Sequence, residues 1–362
     1  MEQSLRSELT SQILQPPGED RRIAAFCQAL LTTLQAPNEN AELLDVIYRI
    51  SGHSPSYVVN HVLRALQRQL LTYQPDYPRA FISAAVWLEA LHEVVQTPAK
   101  WRLFKSDLCD RSVQSNVVER YKAIKLAVNL LRPQQGSSLA LLDIGCSRNH
   151  GLKKLRLNLP FTEVTCAVQS FGTMPSIVLD RLLNEALQVP LQLSACLGMD
   201  VVPLTLGQDA AWAKSCSFYP SELLQSRAVA EYDYLDSLRL NGVDFIEADI
   251  AVAVPPIGTF DVVILSTFLY QLEPAARHRA RQQVAGLLAE DGLIIYQDFS
   301  HTNASDSQLE FEANWFSQLF PYRTIIEFAS DPGRLYELFR WNNGRCAEWI
   351  PGKDLAAALQ KR

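Results

Sequence analysis

The stretch Leu141-Leu142-Asp143-Ile144-Gly145-Cys146-Ser147-Arg148-Asn149-His150-Gly151 decides the fold of this 362-residue chain. It is an apolar run followed by an acid and then by a glycine-containing turn. In open parallel sheets, ligands bind where such turns follow the carboxyl ends of the strands. Gly145 allows a ligand to approach the backbone closely because it has no side chain. We therefore expect a buried strand, a turn and a ligand at residues 141–151.

Further short apolar runs alternate with helical patterns in the same part of the chain. Runs of this length that are flanked by Gly and Asp are typical of strands buried on both faces of a parallel sheet. Their alternation with helices predicts an α/β fold with a Rossmann-like, doubly wound sheet. The runs are Leu139–Ile144, Glu163–Val168, Val243–Glu247, Asp261–Leu265 and Leu293–Gln297.

The residues before this region have a different pattern. From Pro55 to Leu71, apolar side chains recur every three or four residues, which is typical of an amphipathic helix. A second such helix is predicted over about Val113–Leu131, where Pro133 and Gly136 end it. We predict an all-helical N-terminal domain over residues 1–110. A Rossmann-like domain would follow over residues 111–362, with an insertion at about residues 152–195.

Composition argues against several classes of function. The formal net charge of −6 does not favour binding to nucleic acid or to an anionic membrane. No apolar run approaches the ~18 residues that span a bilayer, and the N-terminus lacks the apolar segment of a signal peptide. The seven cysteines are scattered without a C-x-x-C pair, so we expect reduced thiols in a cytoplasmic protein and no metal site. The sequence does not predict an oligomeric state.

The turn at residues 143–149 resembles the first motif of class I S-adenosylmethionine-dependent methyltransferases. That motif is written D-x-G-x-G-x-G and wraps the methionine part of the cofactor. Asp143 and Gly145 match it, whereas Ser147 and Asn149 stand at the other two glycine positions. Asn tolerates positive φ better than other non-glycine residues, and Ser is small, so we expect the turn to form. The alternative is a plain strand-to-helix turn of any α/β protein.

Three later segments resemble further motifs of the same superfamily in the same order. Asp200 matches the acid at the end of the second strand, which holds the ribose hydroxyls; otherwise it is an ordinary turn residue. Asp249 and Ile250 match the two positions that contact adenine. Phe260–Tyr270 resembles the fourth motif. The resemblance therefore implies S-adenosylmethionine as cofactor, bound by Asp143, Gly145, Cys146, Ser147, Asn149, Asp200, Asp249, Ile250 and Ser266.

The chain also resembles, over nearly its whole length, an uncharacterised bacterial family that has a methyltransferase-like fold. Val113–Arg120 is similar to that family's V-Q-T-N-E-V-x-R, and Asp143–Ser147 is similar to its D-V-G-A-S. Gly198–Leu204 resembles its G-x-D-x-x-P-L/V, which supports Asp200 as the acid of the second strand. Asn149 departs from the family, which has Gly at that position.

No catalytic residue follows from these patterns, but four polar residues are candidates for binding a substrate. In methyltransferases, the helix before the first strand often borders the mouth of the cofactor site, and the loop after the fourth strand faces the active site. The candidates are Gln114, Asn116, Arg120 and Tyr270. The alternative for the first three is a solvated helix face. His150 in the turn is a weaker candidate for a general base.

These observations predict an S-adenosylmethionine-dependent methyltransferase that acts on a small molecule, a reaction that proceeds chiefly by positioning. Two alternatives stay open. The altered glycines would also suit a degenerate methyltransferase fold with a binding or assembly role. Gly145–Asn149 is one residue short of the G-x-S-x-G turn of serine hydrolases, with His278 or His301 as the partner of Ser147. That hydrolase fold needs several strands before the serine, where helices are predicted.

Overall fold

The computed structural model describes residue 7 and residues 21–36, 41–50, 55–73, 81–111, 117–132, 138–168, 170–171, 174–201, 208–217, 226–269, 272–302, 309–311, 322–342 and 345–361. The chain divides into two compact units. The first comprises Met1–Asn116, Thr205–Asp233 and Asn314–Gln318. The second comprises Val117–Leu204, Tyr234–Ala313 and Leu319–Arg362.

The helices have the following bounds in chain order: α1 (Arg21–Gln35), α2 (Ala41–Ile50), α3 (Pro55–Tyr73), α4 (Ala84–Gln96), α5 (Pro98–Asp110), α6 (Tyr121–Leu131), α7 (His150–Arg156), α8 (Ser176–Gln188), α9 (Gln208–Ser217), α10 (Ser226–Ser237), α11 (Pro274–Ala285) and α12 (Leu355–Gln360). A 3₁₀ turn, Val118–Arg120, precedes α6. No helix among the described residues is long and apolar enough to cross a membrane.

The strands are β1 (Leu139–Ile144), β2 (Thr165–Cys166), β3 (Ser170–Phe171), β4 (Met174–Pro175), β5 (Leu193–Asp200), β6 (Val243–Glu247), β7 (Phe260–Ser266), β8 (Leu288–Thr302), β9 (Leu309–Phe311), β10 (Tyr322–Phe328), β11 (Tyr336–Trp341) and β12 (Glu348–Pro351). The main sheet has the order β2-β12-β11-β10-β8-β7-β1-β5-β6, with β9 paired to β8, while β3 and β4 form a separate pair.

The described elements of the first unit are all helices: α1 to α5, α9 and the first part of α10. Its apolar core unites buried side chains from these helices, among them Phe26, Leu66 and Trp87. Trp212 and Cys216 of α9 belong to the same core. This burial explains why residues 205–233 belong to the helical unit, although the sequence analysis placed them in the Rossmann-like domain.

The second unit is built on a doubly wound sheet. The five strands β6, β5, β1, β7 and β8 are all parallel. Numbered along the chain, they stand in the order 3-2-1-4-5, which is the order of a Rossmann-like sheet. Beyond β8, the strands β10, β11 and β12 continue the sheet in antiparallel fashion. The prediction of a Rossmann-like sheet preceded by helices is therefore confirmed.

Alternate side chains of the central strands enter two separate apolar layers. Leu141, Val262 and Ile264 pack on the face that α6, α7, α8 and α12 cover. Leu142 and Val263 pack on the opposite face with α11. Because both faces are covered, these strands read as continuous apolar runs in the sequence.

Three predicted elements differ from the structure. The run Glu163–Val168 contains only the two-residue strand β2, which pairs with β12 at the edge of the sheet and is not buried on both faces. The helix predicted over Val113–Leu131 begins in the structure at Tyr121, after a 3₁₀ turn at Val118–Arg120, and residues 112–116 lie outside the described residues. Strand β8 begins at Leu288 rather than Leu293, because Leu288 already pairs with Phe260 of β7.

A test of the antiparallel extension uses the buried bond between β10 and β11. The Trp341 indole Nε1 donates to Thr324 Oγ1 over 2.9 Å, and both side chains are fully buried. Thr324→Val keeps the side-chain shape but removes the acceptor, so we expect the free energy of unfolding to fall by ~1–3 kcal/mol. The single variant Trp341→Phe and the double variant Thr324→Val/Trp341→Phe complete the cycle, and the double variant leaves no buried donor without an acceptor. We expect the losses of unfolding free energy in the two single variants to sum to more than the loss in the double variant, as measured by chemical denaturation. Strictly additive costs would contradict this contact.

Candidate functional site

The order of the parallel strands reverses between β1 and β7. From β1 the chain builds outward through β5 and β6, and it then crosses back to β7 and β8 on the other side. In open α/β sheets, ligands bind at such a reversal, at the carboxyl ends of the strands. The turn after β1 and the segment after β7 both lie at this edge. The candidate site is therefore the group of residues that follow these two strands and their neighbours β5 and β6.

The turn after β1 has an alternating backbone conformation. The φ angles of Gly145, Ser147 and Asn149 are +75°, +52° and +59°. These are the three positions that carry glycine in the first motif to which the turn is similar. Positive φ is uncommon for residues other than glycine. The turn thus keeps a backbone that suits glycine, although two of the three glycines are replaced.

Hydrogen bonds fix this turn to the end of β5. The Gly145 amide donates to the Met199 carbonyl over 2.8 Å. The Ser147 amide donates to Oδ2 of Asp200, also over 2.8 Å. The Asn149 amide donates back to the Cys146 carbonyl over 3.1 Å. The structure therefore brings Asp200 directly to the turn, although 56 residues lie between Asp143 and Asp200 in the sequence.

The side chain of Asn149 contacts the two neighbouring strands β5 and β6. Its Nδ2 donates to the Asp244 carbonyl of β6 over 3.0 Å. Its carboxamide lies against the α-carbon of Gly198 in β5, where a Cβ would overlap with Oδ1. The side chain is buried, at 2% exposed. Asn149 therefore ties the turn to both β5 and β6, and the absence of a side chain at residue 198 makes this possible.

Asp143 lies at the carboxyl end of β1, on the face that α6 covers. Its side chain is 1% exposed, and Oδ2 accepts a hydrogen bond from the Tyr121 hydroxyl. Oδ1 is buried without a partner in the described part of the chain. Burial raises the pKa of Asp143 to about 7, against the opposing effects of the Tyr121 hydrogen bond and the Arg120 guanidinium, while the charge on Asp200 adds to the rise. Asp143 thus changes its charge near neutral pH.

Tyr121 is a site residue that the sequence analysis did not single out. Its ring lies against the α-carbon of Gly151 in the first turn of α7, and a Cβ there would overlap with the ring. The ring also contacts the Arg120 guanidinium, 5.3 Å from the ring centroid. In the sequence, Tyr121 appears only as one apolar position of a helical stripe. Its role depends on packing between α6 and α7, which no local pattern records.

The end of β7 supplies a second part of the site. The Ser266 hydroxyl is buried and donates to Gln297 Oε1 over 2.9 Å. The next residue, Thr267, has a φ of +54°. Phe268 then lies over the turn, because a Cβ on Gly145 would be 2.8 Å from its Cδ2. Ser266 is therefore part of a buried network, while Phe268 covers the glycine of the turn.

The remaining predicted site residues lie in different surroundings. Asp249 is exposed after β6, and its Oδ1 accepts from the Ala251 amide over 2.8 Å. Ile250 is buried in an apolar layer of the sheet. Cys146 is buried, which raises the pKa of its thiol well above the usual value. Arg120 is 3% exposed, so it does not lie on a solvated helix face. Three further candidates, Gln114, Asn116 and Tyr270, lie outside the described residues.

The geometry gives little support to a serine hydrolase. His150 Nε2 lies 3.2 Å from Asp236 Oδ1, and burial lowers the pKa of the imidazole. His278 Nε2 lies 2.9 Å from the Gln282 amide nitrogen, in an exposed part of α11. The side chain of His301 lies outside the described part of the structure. In addition, no strand precedes β1 in the described residues, whereas that fold needs several strands before its serine.

Comparison with known proteins assigns the family. A model of the family described as "Uncharacterized protein conserved in bacteria (DUF2332)" matches residues 26–318, and the chain belongs to this family. A search of curated proteins finds no match to the chain.

Solved structures similar to the chain include three methyltransferases. The N-methyltransferase NodS from Bradyrhizobium japonicum WM9, in complex with S-adenosylhomocysteine, is 16% identical, with 60% of this chain and 74% of NodS covered and a TM-score of 0.28. An amino pentose methyltransferase from Micromonospora echinaspora is 13% identical, with coverages of 61% and 72% and a TM-score of 0.27. A 1,6-didemethyltoxoflavin-N1-methyltransferase from Burkholderia thailandensis is 14% identical, with coverages of 67% and 66% and a TM-score of 0.26.

The contact between Asn149 and Gly198 can be tested by substitution. Gly198→Ala places a methyl group against the Asn149 carboxamide, so we expect the free energy of unfolding to fall by ~1–3 kcal/mol in chemical denaturation. Asn149→Gly in the same chain removes the obstruction and should recover part of that loss. Gly286→Ala is the matched control, because its Cβ would meet its nearest atom at an ordinary 3.4 Å. If Gly198→Ala lowers the free energy of unfolding equally in the native chain and in the Asn149→Gly chain, the contact is contradicted.

The raised pKa of Asp143 predicts a pH dependence of stability. The folded pKa of about 7 exceeds the unfolded value of 3.8, so the protonated form stabilises the fold and this contribution is lost as the pH rises from about 4 to 7. Asp143→Asn resembles the protonated acid and does not titrate. Relative to the native chain, its free energy of unfolding should rise by at least ~1 kcal/mol between pH 5 and pH 8. The exposed Asp291→Asn should show no such change, and a pH-independent difference for Asp143→Asn would disprove the assignment.

Proposed function

We propose that this chain is an S-adenosylmethionine-dependent methyltransferase that acts on a small molecule. One observation carries the proposal: left-handed backbone recurs at Gly145, Ser147 and Asn149 directly after β1, while the Asp200 carboxylate accepts a hydrogen bond from the Ser147 amide. A turn of this form stands at the reversal of strand order, where a nucleoside-containing ligand is expected. The resemblance of the sequence to the motifs of class I methyltransferases names the ligand.

The residues at the ends of the parallel strands suit the parts of this cofactor. The turn from Asp143 to Asn149, with Gly145, Cys146 and Ser147, would hold the methionine end. Carboxylates accept hydrogen bonds from hydroxyl and amino groups. Asp200 at the end of β5 would therefore hold the ribose, and Asp249 with Ile250 after β6 would hold the adenine. Ser266 after β7 would complete the set. The bound cofactor would supply an electrophilic methyl group on a positively charged sulfur.

Two features of the chain bear on the fit. The buried Oδ1 of Asp143 lacks a partner among the described residues, and a buried acceptor favours a donor from a ligand or from water. The space where a Cβ of Gly145 would lie is occupied by the side chain of Phe268. The backbone and the carboxylates fit the cofactor, and a ligand that contacts Gly145 must displace the ring of Phe268.

The residues of the chain would act mainly by binding and by orienting the reactants. Methyl transfer needs a nucleophile in line with the sulfonium, and effective positioning supplies much of the rate. Asp143 holds a proton near neutral pH, next to the Tyr121 hydroxyl. We assign no residue as a general base. Arg120, together with Gln114, Asn116 and Tyr270, stays the candidate set for substrate binding.

A degenerate methyltransferase fold with a binding or assembly role is the second candidate. The observation that favours it is the position of Phe268, whose ring covers Gly145 in place of a ligand. In this case the turn would be a structural remnant, and the carboxylates of Asp200 and Asp249 would only cap the ends of their strands. The two candidates differ in whether the full-length chain binds the cofactor.

The test is calorimetric titration of the full-length protein with S-adenosylmethionine and S-adenosylhomocysteine. We expect micromolar affinity, about −8 kcal/mol, because the strand-end acids are placed for a nucleoside. Asp200→Asn removes the negative charge but keeps an acceptor for the Ser147 amide. Asp249→Asn likewise removes the charge but keeps an acceptor for the Ala251 amide. Loss of one charged hydrogen bond should weaken binding about tenfold to a hundredfold.

A matched control is Glu290→Gln, an exposed acid near the start of β8, at the opposite end of the parallel strands. It should leave the affinity unchanged. If the native chain gives no heat of binding at millimolar cofactor, the enzyme proposal is wrong, and the degenerate fold with a binding or assembly role is favoured. Equal effects of all three substitutions would show that general charge, rather than these positions, governs the affinity.

A further inference from the structure

The ring of Phe268 lies against Gly145, on the side where a Cβ would be. A Cβ built on Gly145 would lie 2.8 Å from Cδ2, 3.1 Å from Cβ and 3.2 Å from Cγ of Phe268. The ring is half-buried and packs against the apolar layer on the α11 side of the sheet. The space that Gly145 leaves free is thus filled by the chain itself.

Phe268 is held in this place by an unfavourable backbone conformation. The φ of Thr267 is +54°, which is a strained value for a β-branched residue. The Thr267 amide donates to the Gln297 carbonyl over 2.7 Å, and its hydroxyl donates to the Ser266 carbonyl over 2.7 Å. These two bonds hold Thr267 in the strained conformation, so that the following residue turns back over Gly145.

We propose that Thr267 and Phe268 form a gate that closes the cofactor-binding turn in the free protein. This inference rests on the proposed function. In the closed state the Phe268 ring covers Gly145 and the Thr267 backbone is strained. In the open state the ring leaves the turn and Thr267 relaxes to negative φ. The ligand binds the open state only. The apparent Kd is therefore the Kd of the open state divided by the fraction of molecules that are open.

The two residues of the gate should respond to substitution in opposite directions. Phe268→Ala removes the side chain that fills the turn, so it should lower the apparent Kd of S-adenosylhomocysteine by about threefold or more. Thr267→Gly removes the strain of the closed state, because glycine adopts positive φ readily. The closed state then becomes more populated, and the apparent Kd should rise by about threefold or more. A role of Phe268 in stacking on the ligand predicts the reverse effect of Phe268→Ala.

Two matched variants separate the gate from general loosening of the fold. Phe260→Ala removes a buried phenyl ring from the same apolar layer, at the other end of β7, and should leave the Kd unchanged. Thr267→Val keeps the β-branch and the strain but lacks the hydroxyl. If strain drives opening, Thr267→Val should bind at least as tightly as the native chain, and only Thr267→Gly should bind more weakly.

Hydrogen exchange supplies a readout that does not depend on catalysis. The Thr267 amide is bonded to the Gln297 carbonyl in the closed state, so S-adenosylhomocysteine should speed its exchange in the native chain, and Phe268→Ala should speed it without ligand. Binding by the native chain with no gain in Phe268→Ala would overturn the gate and leave the proposed function intact. Binding by Phe268→Ala alone would support both. If neither the native chain nor Phe268→Ala binds the ligand, the proposed function is wrong. The gate is then tested on its own: it is wrong if the Thr267 amide exchanges at the same rate in the ligand-free native chain and in ligand-free Phe268→Ala.

Discussion

The hydrogen bond from the Ser147 amide to the Asp200 carboxylate joins the ends of two neighbouring strands, and the geometry of the site depends on it. It aligns the turn after β1 with the end of β5. In this arrangement residue 147 has a left-handed backbone, and Asn149 lies over Gly198. The side chain of Asn149 can then reach β6. Three neighbouring strands, β1, β5 and β6, are thus linked through one short turn by hydrogen bonds and packing.

Much of this arrangement could be predicted from the sequence, because its signals are local. The limits of β1 and β6 coincide with the predicted runs, since strands buried on both faces read as continuous apolar segments. The positions of Gly145, Ser147 and Asn149 in one turn followed from their spacing after a strand. Family membership was also accessible, since three short motifs carried it. These features depend on residues that are close together in the chain.

The parts that escaped the sequence analysis depend on contacts between distant residues. The Tyr121 ring reaches Gly151, and Phe268 reaches Gly145, through the packing of separate elements. Neither pair has a spacing that a local pattern could reveal. The two-residue length of β2 is a similar case, since it pairs only with the first two residues of β12. The assignment of residues 205–233 to the helical unit likewise follows from the burial of Trp212 and not from any change in composition.

The pairing of β2 with β12 has a consequence for the order in which the sheet can form. Residues 165–166 lie in the first half of the chain, whereas their partners at residues 348–349 lie near its end. During synthesis on the ribosome, β2 cannot pair until residues 348–349 have emerged. The Trp349 indole, which donates to Asp180 over 3.0 Å, arrives equally late. This edge of the sheet is joined by contacts between residues far apart in the chain, and contacts of that kind slow folding.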